Sequence, residues 1–170
     1  MPRIKKISIS LIMFFLLFIL FLVTMANAQP TNNQNCKNIA KKMMGEDIRI
    51  KKIHKQITSV VAEANGPQSK NYPRIDRFNR HVNILIHNLG SRVGIMKGLI
   101  EEAKQQGNNC QEMARKISGN VDAMQEIYVN MGLSIEDPNT SGSKLLDLNK
   151  SLKQQTNGAN SDLQSAVKSF

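Results

Sequence analysis

The chain has 170 residues, with 23 Lys plus Arg against 13 Asp plus Glu for a net charge of +10, two Cys, no Trp and only 5% aromatic residues. That length fits one modest domain, and so few aromatic rings leave little from which to build a base-stacking platform for nucleic acid. The overall apolar fraction of 41% is inflated by the first segment, so the rest of the chain is read separately.

Residues 1–10 carry Arg3, Lys5 and Lys6 with no acid, Leu11 to Met25 is almost wholly apolar, and Ala26-Asn27-Ala28 follows as a small-x-small triplet. These are the three parts of a secretory signal peptide. The competing reading is a retained anchor, but the apolar run falls short of the roughly 20 residues a span requires. Cleavage after Ala28 is therefore expected, giving a signal peptide over 1–28 and a single helical domain over 29–170 with no membrane span. The mature product would keep 20 basic residues against 13 acids, or +7. No Cys stands at the cleavage point, so the lipoprotein arrangement is not met. The expected location is exported, periplasmic or extracellular.

The first stretch of the mature chain, about 36–64, places Ile39, Met43, Ile50, Ile53, Ile57, Val60, Val61 and Ala64 in one wide stripe at 100° per residue. Gly45-Glu46 interrupts that stripe and suggests a kink or a frayed turn. Asn65-Gly66-Pro67 ends it. The second stretch, about 73–106, opens on Pro73, which suits a first helical turn, and spaces Phe78, Val82, Leu85, Leu89, Val93, Met96, Ile100 and Ala103 by threes and fours. Its Gly90, Gly94 and Gly98 form a four-residue ladder, read as a place where a neighbouring helix packs closely. The third stretch, about 109–132, alternates Cys110, Ala114, Ile117, Val121, Met124, Tyr128 and Met131, the coiled-coil-like spacing. After a loop from Ser134 to Ser143, the fourth stretch, about 143–169, carries Leu145, Leu148, Leu152, Ala159, Leu163, Ala166 and Phe170, with polar Thr156 inside the stripe and Asn157-Gly158 threatening a break.

No alternating strand pattern appears, so the fold class is all-α. Short connections make neighbouring helices antiparallel and give an up-down-up-down four-helix bundle. In that topology the first and third helices run parallel, so Cys36 and Cys110, which open them, share one end of the bundle. An even cysteine count in an oxidising compartment favours pairing, and a Cys36–Cys110 disulfide is expected.

Catalytic chemistry finds little support. GxSxG, HExxH and Walker signatures are missing, the acids at Glu46-Asp47 and Glu101-Glu102 diverge by about 100° on a helix, and paired cysteines supply no thiolate. No enzyme activity, metal or cofactor is expected. His54, His81 and His87, together with the methionines, leave an alternative reading as a carrier of a small apolar or haem-like ligand within the bundle. The sequons at Asn139 and Asn149 are matches that an Asn-rich chain produces by chance. The remaining feature is a basic face on the first helix: Lys37, Lys41, Lys52 and Lys55 cluster opposite Ile39 and Ile57, with Lys51 beside them and no acid in the group. One-sign clustering points to an anionic envelope component or an acidic protein as partner. The expected function is an exported, non-enzymatic interaction module; its oligomeric state is left open.

Overall fold

The computed structural model describes residues 32–65, 75–136 and 142–170. The leader and its cleavage site, Pro73 and the sequon at Asn139 lie outside them. Four helices fill the described residues: α1 over Asn32–Asn65, α2 over Ile75–Lys104, α3 over Asn108–Glu136 and α4 over Gly142–Ser169. No non-glycine residue among them has a positive φ.

Side-chain contacts fix the topology. Glu46 of α1 meets Arg92 of α2 and Lys42 meets Glu102, so position rises along one helix as it falls along the other. Lys97 of α2 reaches Asp122 of α3, Asn120 of α3 donates to Asp162 of α4, and His54 of α1 bonds Asn149 of α4. The helices thus form a closed ring of antiparallel neighbours, the expected up-down-up-down four-helix bundle. Across the ring, parallel α1 and α3 are joined by the Cys36–Cys110 disulfide, with a Cα–Cα distance of 5.3 Å. Both cysteines are buried, and Asn109 donates to Asn33 at 3.2 Å beside them.

The core is filled by the predicted stripes. Ile39, Met43, Ile50 and Ile57 of α1 meet Leu89, Val93 and Met96 of α2, Ile117, Val121 and Met124 of α3, and Leu152 and Leu163 of α4 within one apolar cluster. The tight α2–α3 turn is closed by Gln111, whose side-chain amide donates to the carbonyls of Lys104 and Gln106, both at 3.1 Å. These satisfy acceptors that a helix end leaves open.

Four expectations need correcting. α1 runs unbroken through Gly45-Glu46, because Glu46 and Asp47 are themselves buried and keep the three-four register that the apolar residues alone had seemed to drop. α4 runs unbroken through Asn157-Gly158: a Cβ at Gly158 would stand 2.7 Å from Asn120 Oδ1, so the glycine admits α3 rather than ending the helix. The α4 stripe takes Asn149 as its buried member where Leu148 had been expected, giving 145, 149, 152, 156, 159 and 163 in strict alternation of four and three. Of the glycine ladder, only Gly90 faces a neighbour, where a Cβ would stand 3.1 Å from the Tyr128 ring, while Gly94 and Gly98 open onto free space.

Candidate functional site

Seven lysines and arginines stand on α1, and the structure divides them into two sets. Glu46 lies under the α1–α2 seam and is gripped by Arg49 of its own helix and by Arg92, whose Nη1 is 3.4 Å from Oε2. Asp47 is its neighbour in sequence but stands about 100° further round the helix, two turns before His54, which bonds Asn149 of α4. Lys51 Nζ lies 2.8 Å from Asp47 Oδ2. The approach is an ion pair without hydrogen-bonding direction, since neither carboxylate oxygen accepts a well-aligned bond. Burial pushes the Asp47 carboxyl above its ordinary range, and the adjacent Lys51 offsets only part of that rise. Lys42 pairs loosely with Glu102 at 3.9 Å.

The remaining four are Lys37, Lys41, Lys52 and Lys55, for which no ion pair occurs among the described residues. Lys41, Lys52 and Lys55 are exposed and Lys37 is half-buried. The expected basic face is therefore present, but Lys51 belongs to it only in part: its side chain is 29% exposed and committed to Asp47. At 100° per residue, Lys37, Lys41, Lys52 and Lys55 fall on the outer side of α1, away from buried Ile39 and Ile57. From Lys37 to Ser59 that outer row holds no acid. In its middle stands Ile48, 67% exposed, a residue that attention to charge alone had passed over. Its position could have been read from the sequence, seven residues from both Lys41 and Lys55 and so on the same side.

The histidines behave differently from one another. His54 is half-buried in the α1–α4 seam, where Nδ1 bonds Asn149 Oδ1 at 2.8 Å. The Asn149 amide donates back to the His54 carbonyl at 3.1 Å and to Thr58 Oγ1 at 2.8 Å, and Thr58 Oγ1 donates to the His54 carbonyl. This closed network spends the polar groups on joining two helices. Asn149 is buried, which withdraws its sequon from any folded-state modification. His81 and His87 are exposed on α2, and Met43, Met96, Met113, Met124 and Met131 are buried in the core. The structure does not bring a histidine of this set together with a methionine in a described cavity. Among the described residues no group of three His, Cys, Asp or Glu is placed to hold a metal, and no helix is long and apolar enough to cross a membrane.

Comparison of the chain with family models, curated proteins and solved structures gives no match. The disulfide itself points to an oxidising, exported environment.

Proposed function

We propose that the chain is an exported, non-enzymatic helical bundle, working in a periplasmic or extracellular compartment as an interaction module that engages an anionic partner through α1. One observation carries the reading: the other cations of α1 have an acid within ion-pair distance, whereas Lys37, Lys41, Lys52 and Lys55 have none among the described residues and the last three are open to solvent. Like charges one and two turns apart on a helix repel, so an unneutralised row is a cost to the isolated protein that an anionic partner relieves. The non-enzymatic part is supported by the disulfide, which consumes both thiols, and by Glu46 and Asp47, each buried against a basic side chain.

The test is retention of the mature protein on isolated envelope and on an anionic support as salt is raised. Contacts of this kind are screened over about 8 Å at physiological ionic strength, so retention should fall steeply with salt. Reversal of Lys41, Lys52 and Lys55 to Glu should abolish it with helicity intact. A wild-type protein that shows no salt-sensitive retention on either material would remove the main support for this function.

A further inference from the structure

Ile48 gives the basic face a second character. It projects from the outer ridge of α1 with two-thirds of its surface open, and half-buried Met44 lies one turn before it. Lys41 stands two turns below, Lys52 one turn above and Lys55 two turns above. The row from Lys41 to Lys55 is about 21 Å long at 1.5 Å per residue. Val129 and Leu133 on α3 are also exposed but share their outer face with the exposed acids Asp122 and Glu126, and Ile84 on α2, 55% exposed, stands beside Arg80 and His87 with no lysine within two turns of it.

Resting on the proposed anionic partner, we infer that α1 docks on an anionic lipid surface, with Ile48 entering the headgroup layer and Lys41, Lys52 and Lys55 held at the phosphates around it. Three features favour this occupant. The charge is complementary over a length that suits an extended surface better than a small anion. The site is a convex ridge, whereas a partner helix lays its apolar side into a groove; a soft, laterally mobile surface adapts to a ridge. Finally, a soluble polyanion rewards the lysines alone, but an interface rewards an apolar tip among cations as well. The lysine stems can lie along the interface while their ammonium groups stay hydrated.

The experiment uses the full mature protein with three probes: phosphatidylcholine vesicles containing phosphatidylglycerol, phosphatidylcholine vesicles alone, and soluble polyphosphate. Ile48→Ser should leave the melting temperature unchanged, lower partitioning onto the anionic vesicles by about fivefold, as expected for withdrawing one aliphatic side chain from the interface, and leave polyphosphate binding unaltered. Leu133→Ser, at another strongly exposed apolar position, should change none of these. Because the chain has no Trp, Ile48→Trp supplies a single indole whose emission should shift to the blue on anionic vesicles and not with polyphosphate. Equal vesicle partitioning of wild type and Ile48→Ser overturns the lipid inference while leaving the anionic-partner function standing if retention is still salt-sensitive. Binding to polyphosphate or an acidic protein but not to vesicles overturns it in the same way. Binding to none of the probes or to envelope overturns both.

Discussion

Removing the Cys36–Cys110 bond tests the topology more directly than any other single perturbation. The two cysteines are separated by 74 residues, and in the chain-entropy model closing a loop of that size withdraws about 15 cal/mol/K from the unfolded chain, or about 4.5 kcal/mol at 25 °C. For a unit of about 140 residues, unfolding entropy near the midpoint is about 0.3 kcal/mol/K, so the loss corresponds to a fall of about 15 °C in Tm. Cys36→Ala with Cys110→Ala isolates this quantity, because both side chains are buried and alanine adds no unsatisfied polar group. A Cys110→Ser partner at the same site should cost about 1 kcal/mol or more beyond it, since the hydroxyl is forced into the core end. Circular dichroism melts of the oxidised wild type, the reduced wild type and the double alanine variant supply the comparison. The last two should melt close together and far below the first. A fall of less than about 4 °C, corresponding to little more than 1 kcal/mol, would refute the reasoning, for it would mean that α1 and α3 do not need this tie to hold parallel register.

Four further substitutions separate packing from charge. Gly94→Ala, which opens onto free space, should stabilise the protein by about 1 kcal/mol, whereas Gly158→Ala should give no such gain. Its Cβ would displace Asn120, which donates to Asp162 at 3.3 Å; urea midpoints of the two variants make the contrast. Asn149→Ala should cost about 1–2 kcal/mol by the same measurement, because it removes the three hydrogen bonds that join α4 to half-buried His54 and to Thr58. Asp47→Asn should change the pH dependence of stability in a fixed direction. Burial holds the native carboxyl above its ordinary range, so the folded state holds the proton more tightly and wild-type stability declines as pH rises from the ordinary range through the raised one. Relative to wild type, the amide variant should therefore be more stable at pH 7 than at pH 3.5, and a constant difference between them across that range would count against the burial argument.

The helices were legible because apolar spacing and helix packing obey the same three-four rule, and the disulfide followed from topology once helix order was known. What stayed hidden were core positions filled by polar residues. Glu46, Asp47 and Asn149 occupy the register without contributing to an apolar count, so α1 looked interrupted and Leu148 looked more central than Asn149. Extending the strict spacing through polar residues, 43 to 46/47 to 50 and 145 to 149 to 152, would have found all three. Gly158 was misread for a related reason: a glycine that ends a helix and one that admits a neighbour are identical in sequence, and the Asn120 side chain beside it comes from another helix. In the candidate site the lysines were legible as a row. Withdrawal of Lys51 and the neutralisation of Arg49 and Arg92 were not, since both depend on acids whose burial the pattern concealed.

The same register explains why the unpaired charge gathers where it does. A helix that must present residue 46 or 47 to its partners at that turn, and places acids there, has to supply each with a counterion within reach. On the same helix the residues available are three or four positions away, and Arg49 and Lys51 occupy those positions. The two acids face different seams, so the two cations are drawn to opposite flanks of α1, one toward α2 and the other toward α4. Lysines at 37, 41, 52 and 55 are rotated beyond the reach of either carboxylate and remain on the outer row, with Ile48 left among them. Negative charge is thus spent inside the bundle while positive charge of the same helix is directed outward. The field of the outer face is then a consequence of core packing on its inner side, and variants at Glu46 or Asp47 alter that face without touching its surface.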